Sequence, residues 1–200
     1  MNTASFTTEA IQQAIAQGAI TKAYQAEPQQ VIQALNQLRA TEVTSYLQYK
    51  QHAYMAVSLF APGLKNDFEA HATLELQHAD LLAQRIQQLG GVPLYSPVDI
   101  AAQAASVGVR PEQGPTLREM IIENLLLERQ QVAAYTTLVR ELGERDPTTR
   151  RLLVEILVEI LADTERHASE LGYVLRCSRP QVACVYRPME RKSTFARAVS

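Results

Sequence analysis

An all-α fold, four long helices paired as two antiparallel hairpins and joined by a long crossover, is predicted by three observations on this 200-residue chain. The composition is heavy in Ala, Leu, Glu and Gln, with only 8 Gly, 9 Pro and no Trp, which suits long helices. Apolar residues recur every three or four positions over four long stretches, the period of a helix with one buried face. The connections within each half are short and the one between the halves is long; short connections make antiparallel neighbours, and the long one can cross the length of a bundle. A chain of this size buries roughly 70% of the surface its unfolded form exposes, enough for one domain with a sizeable core.

The first long helix follows Glu27-Pro28 and runs towards Phe60, where Pro62-Gly63 breaks it. Its stripe reads Leu35, Leu38, Glu42, Tyr46, Tyr49, with His52 continuing it as a structural residue. The second runs from about Lys65 to Leu89 and stops at Gly90-Gly91 with Pro93 beyond; its stripe is Phe68, His71, Glu75, His78, Leu82, Ile86, Leu89. A short helix is expected around Val98 to Ser106 in the crossover. The third long helix opens at Thr116 with Glu119 three later, a capping box, and ends near Gly143; its stripe is Leu117, Ile121, Asn124, Glu128, Val132, Tyr135, Val139, Leu142. Asp146-Pro147 supplies an N-cap and an N1 proline for the fourth, whose stripe is Leu153, Leu157, Ile160, Thr164, His167, Leu171, Val174. The domain is expected to span 28–175, with 1–27 an extension carrying a helix over Thr8 to Gln17 and 176–200 a basic, disordered tail.

Charge and targeting signals narrow the function. The net charge of −2 gives no overall footprint for nucleic acid or anionic lipid, although Leu175 to Ser200 carry six Lys or Arg against one Glu and leave −7 for the rest. No apolar run approaches the roughly 18 residues of a membrane helix, and the N-terminus MNTASFTTEA lacks a signal-peptide pattern. A cytoplasmic protein with no membrane or nucleic-acid partner is expected. Cys177 and Cys184 stand together near the end, so no disulfide framework holds the fold.

Each stripe turns polar in mid-length. An unpartnered ionised carboxylate in a core costs several kcal/mol, and a metal cation is the compensation that acids and imidazoles recurring on core faces invite. Glu75 and His78, at i and i+3, project from one face and can converge on one ion; Glu42 and Glu128 come from two other helices and can bridge a pair. Carboxylates with imidazole and without thiolate favour iron or manganese over structural zinc. The spacing also repeats. Glu42 precedes Tyr49 by seven and His78 by 36, while Glu128 precedes Tyr135 by seven and His167 by 39, so the two hairpins form a pseudo-twofold site.

Through RATEVTSYLQYKQH, LELQHADLLAQRI, ENLLLERQQVAAY and ILADTERHASEL, residues from about Ala26 to Val174 resemble the bacterioferritin-like branch of the ferritin superfamily. The resemblance implies a ferritin-like four-helix bundle and a di-iron ferroxidase centre within one subunit, held by a Glu from the first and third helices and Glu-x-x-His from the second and fourth. The matching positions are Glu42, Glu75, His78, Glu128 and His167. It further implies a homo-oligomeric cage that oxidises Fe(II) with O2 or H2O2 and stores the ferric product, with Tyr49 and Tyr135 either hydrogen-bonded to ligand carboxylates or passing an electron. Core filling with a satisfied hydroxyl is an equal reading for both tyrosines.

Two departures stand out. Thr164 occupies the position, three before His167, where the family has Glu. Asp163, one turn before His167, is the preferred substitute; Glu165 points roughly a further 100° around the helix. VEIL occurs twice in LLVEILVEILADTERH, as a one-turn insertion would leave it; His167 is expected to stay level with His78 if the loop at Gly143 to Thr149 absorbs the extra length, and to lie about 5 Å out of position if it does not. Haem is not expected, because Leu76 stands where haem-binding members place the Met ligand. His71 is read as either a ligand on the route in or a supporting residue. Manganese catalase or di-iron oxygenase chemistry on the same bundle, and a cage subunit whose site has decayed at Thr164, are the rival functions.

Overall fold

The computed structural model describes residues 7–21, 24–56, 63–109 and 116–177. Their helices are α1 (Thr8–Gln17), α2 (Pro28–Met55), α3 (Leu64–Gln88), α4 (Pro97–Ser106), α5 (Leu117–Leu142) and α6 (Pro147–Cys177), with no strand among the described residues. Cys184 and most of the basic C-terminal stretch lie outside the described residues, as do Phe60 and Pro62.

Local chemistry sets most of the ends. The capping box at Thr116 is formed, its hydroxyl accepting from the Glu119 amide while Glu119 accepts from the Thr116 amide. Asp146 caps α6 by accepting from the Thr149 amide at 2.9 Å. Gly143 closes α5 at φ 51°, a conformation that glycine adopts at little cost. α2 is shorter than its periodicity suggests, ending at Met55, where Ala56 donates its amide to the His52 carbonyl at 2.8 Å.

α2 packs on α3 and α5 on α6, and α2 also meets α5 and α4. The apolar interior has two large clusters and a small third one under the crossover, made by Ala40, Leu127, Ala104 and Val109. Leu35, Leu38, Leu82, Ile86, Leu138, Leu142, Leu153 and Ile160 fill one end, while Ala53, Leu64, Phe68, Ala72, Met120 and Ile121 fill the other. Each long helix passes from one cluster to the other, so the polar mid-lengths of all four lie in a single layer between them. That layer holds the candidate site.

The crossover is tied to α2. Asn36 donates to the Val92 carbonyl at 3.4 Å and accepts from the Leu94 amide at 2.9 Å; Arg39 donates to the Leu94 carbonyl and lies 4.4 Å over the Tyr95 ring. Gly91 lets this strap approach α2, since a Cβ there would stand 2.7 Å from Ile32 Cγ2. Gly91→Ala is therefore expected to destabilise the fold by about 1–3 kcal/mol through overpacking, read as a lowered denaturation midpoint.

A second clamp joins the hairpins beyond the site. Arg85 of α3, buried, donates to Asp146 Oδ1 at 3.1 Å and to Thr149 Oγ1 at 2.7 Å, and the Tyr24 hydroxyl donates to Asp146 Oδ2 at 3.0 Å.

Candidate metal centre

Six side chains in the polar layer form two groups whose donor atoms lie within 4.8 Å of one another: Glu42, Glu75 and His78, and His71, Glu128 and His167, every one of them buried. Five of the six residues expected as metal ligands are thus brought together, from α2, α3, α5 and α6. The sixth, Asp163, is in neither group. One turn before His167, its carboxylate reaches across to α3 and pairs with His71 Nδ1 at 3.2 Å and with Arg166.

The longer Glu-to-His spacing of the second hairpin is taken up along α6 and not, as expected, by the loop at Gly143 to Thr149. Pro147 lies 20 residues before His167, against 14 from Leu64 to His78, while the turn before α6 is four residues long. His167 nonetheless comes level with its partner, its Nδ1 standing 2.7 Å from Glu128 Oε1.

The tyrosines cross between hairpins. Tyr135 of α5 donates to Glu42 Oε1 at 2.6 Å, and Tyr49 of α2 donates to Glu128 Oε1 at 2.5 Å. Each glutamate so has one oxygen fixed by the opposite hairpin, and the Oε2 of both Glu42 and Glu128 is buried with no hydrogen-bond partner. Glu42 Oε2 faces His78 Nδ1 at 3.3 Å, and that nitrogen also makes no hydrogen bond. A buried anionic oxygen without a donor is costly unless a cation faces it, so this donor set, all oxygen and imidazole nitrogen, fits hard or borderline divalent ions.

Supporting contacts fix the remaining donors. Gln131 donates to Glu75 Oε2 at 3.1 Å. His78 Nε2 lies 2.9 Å from Glu159 Oε2, the carboxylate–imidazole pairing that orients a ring and leaves its other nitrogen to a metal. Glu159 was not among the residues expected at the site; the second VEIL was its only signal in the sequence. Thr164, the departure from the family pattern, turns its hydroxyl back to the Ile160 carbonyl at 2.8 Å.

Protonation follows from crowding. Burial, reinforced by the charge of Glu42, pushes the Glu75 carboxyl well above the usual range. Burial would raise Glu42 too, but the neighbouring His78 and Glu75 and the hydrogen bond from Tyr135 outweigh it and hold Glu42 low. Burial disfavours charge on His78, yet Glu159 and Glu42 raise it to about 9. Burial, together with Glu128 for Tyr49 and Glu42 for Tyr135, pushes both phenols well above 10, so both tyrosines keep their protons. At neutral pH His78, lifted to about 9, carries a proton that a metal ion would displace.

Leu76 is exposed and offers no donor to iron. Among the described residues no helix is long and apolar enough to cross a membrane.

Comparison with known proteins places these features among others. Residues 32–178 match the model of the ferritin-like domain. The chain is 31% identical over 138 residues to a DNA protection during starvation protein of Halobacterium salinarum, covering 68% of this chain and 74% of that protein. It is 27% identical over 170 residues to a bacterioferritin of Mycobacterium avium, covering 82% and 98%. Among solved structures, the Desulfovibrio desulfuricans bacterioferritin, described with its diiron site in different catalytic states, superposes with a TM-score of 0.66 at 22% identity, covering 76% of this chain and 84% of that one.

Proposed function

The chain belongs to the ferritin-like domain family, and from that premise we propose that it takes up two Fe(II) ions as substrate and oxidises them with O2 or H2O2, for iron storage or detoxification. One observation carries this reading. Two donor groups lie wholly buried between the apolar clusters, each with a glutamate oxygen that lacks a hydrogen-bond donor. The names of the bacterioferritin relatives and the diiron site of the Desulfovibrio desulfuricans protein support iron as the metal. A homo-oligomeric cage in the cytoplasm belongs to the same reading, and the exposed Leu47, Tyr54, Leu76 and Leu81 on α2 and α3 are apolar surface that such an assembly would cover.

In this mechanism Glu42, Glu75 and His78 hold one ferrous ion, and Glu128 and His167 hold the other. Tyr135 and Tyr49 keep Glu42 and Glu128 aimed inward, and Glu159 aligns His78 through Nε2. The proton on His78 leaves as the ions arrive, which makes uptake tighter with rising pH up to about 9, the value to which Glu159 and Glu42 lift His78 against burial. Two ions matter because each Fe(II) supplies one electron: two together reduce O2 with two protons to H2O2, or reduce H2O2 with two protons to two waters, leaving two Fe(III). The apolar clusters on either side exclude water from the pair.

The test is stopped-flow absorbance on chelator-stripped protein mixed with two Fe(II) per chain in the presence of O2 or H2O2. A fast saturable phase that ends at two ions per chain is the expected result. Only the slow autoxidation seen in buffer would overturn the reading and favour a decayed cage subunit, for which the back-turned Thr164 hydroxyl is the relevant observation. Metal analysis of the protein as purified separates iron from manganese chemistry on the same ligands.

A further inference from the structure

The pseudo-twofold pairing leaves the two metal seats unequal. Gln131, three after Glu128, holds Glu75; the equivalent residue on α2 is Ser45, three after Glu42, and its hydroxyl is buried without a partner. The counterpart of Glu75 is Thr164, whose hydroxyl donates back into its own helix, to the Ile160 carbonyl at 2.8 Å. The second seat therefore has Glu128 and His167 from the paired motif and lacks the carboxylate that would complete it.

His71 stands where that donor is missing. It lies one turn before Glu75 on the same face of α3, and its ring is buried, 4.5 Å from the His167 ring between centroids and stacked on Tyr49 at 5.1 Å. Its ring is held at both nitrogens. Nδ1 pairs with Asp163 Oδ2 at 3.2 Å, and Arg166 Nη2 lies 2.6 Å from Nε2 and 3.5 Å from Nδ1. Arg166 is itself anchored on Asp163. A guanidinium cannot accept a hydrogen bond, so the lone pair on Nε2 faces a cation and the Nδ1 proton faces the Asp163 carboxylate. This is the carboxylate-imidazole arrangement that prepares a histidine for a metal, with an arginine crowding the other nitrogen.

Resting on the ferroxidase reading above, we propose that His71 is a ligand of the second metal ion, replacing the carboxylate absent at Thr164, and that Arg166 gates it by holding Nε2 until the ion displaces the guanidinium. The first seat then offers two carboxylates and one imidazole, the second one carboxylate and two imidazoles. The softer set favours later first-row ions such as Co(II) and Zn(II) over Mn(II) more strongly than the first does. Asp163 is a positioning residue in this scheme, acting through His71.

Binding can be read without turnover. Anaerobic titration of the full chain with Co(II), followed by visible absorption and calorimetry, is expected to give two equivalents in the wild type. His71→Phe, which keeps the stack on Tyr49 but has no donor, should weaken the second equivalent by at least about tenfold and leave the first. His71→Phe combined with Thr164→Glu should restore two. Arg166→Gln, at a partly exposed position, should tighten the second equivalent by about tenfold by removing a competing positive charge; circular dichroism checks that each variant keeps its helices. A wild type that binds no Co(II) sinks the di-metal reading itself. Two equivalents of unchanged affinity in His71→Phe overturn the assignment of His71 while leaving that reading standing, and unchanged or weaker binding in Arg166→Gln overturns the gate.

Discussion

Replacing either Glu42 or Glu128 with glutamine is expected to slow Fe(II) oxidation at two ions per chain by at least about 100-fold, and combining the two changes should slow it little further. The amide keeps an oxygen for the tyrosine that donates to each residue, Tyr135 to Glu42 and Tyr49 to Glu128, so the bundle is perturbed little. What disappears is the anionic oxygen that lacks a donor. If two ions must each give one electron to the same oxidant, losing one seat is as damaging as losing both, which is why the double variant discriminates. Stability should move the other way. The Glu128 carboxylate has a buried oxygen without a hydrogen-bond donor, which costs free energy, so Glu128→Gln is expected to melt no lower than the wild type, as functional sites often trade stability for chemistry. Rates that fall in proportion to the number of changes, or a rate loss matched by a fall in melting temperature, would point to a structural role for these glutamates.

The parts of this molecule legible in the sequence are those set within one helix. Thr116 and Glu119, Asp146-Pro147 and Gly143 announce their helix ends because the hydrogen bonds involved are local. Glu42, Glu75, His78, Glu128 and His167 are visible because each occupies a core position on a stripe of otherwise apolar residues, and they do meet in one buried layer. The end of α2 was less legible: the turn at Ala56 carries no glycine or proline, so periodicity alone runs on past Met55. Residues that act between helices were hidden for a different reason. Glu159 reaches His78 only because the two hairpins have a particular rotation about each other. The same rotation sends Asp163 to His71 rather than into either ligand group, and gives Arg166, which on α6 alone reads as a solvated surface charge, a place against an imidazole. Spacing along one chain holds no information about that rotation.

The clamp that fixes this relation is the subject of the second large expected effect. Asp146→Ala should destabilise the protein by about 3–5 kcal/mol, because it strands the buried guanidinium of Arg85 without its anion. The same change removes the cap on the Thr149 amide and the acceptor for Tyr24. For a chain of this length a loss of that size lowers the melting temperature by roughly 6–20 °C. The pH dependence identifies the cause. Burial would raise the Asp146 carboxyl, but hydrogen bonds from Thr149, the charge of Arg85 and the Tyr24 hydroxyl hold it below its ordinary 3.8. A carboxyl depressed in the folded state stabilises the fold above its unfolded value, and that contribution fades as pH falls through the folded value. The gap in melting temperature between wild type and Asp146→Ala should accordingly be full at pH 6 to 7 and begin to close below about pH 4. A gap that stays constant down to pH 3 would assign the loss to packing and capping alone. Because Arg85 lies two helical turns beyond His78 on α3, and Asp146 begins the helix that carries Glu159 and His167, loosening this clamp should also weaken Co(II) binding in protein that is still fully folded at low temperature. That second readout ties the stability of one end of the bundle to the alignment of the donors at its centre.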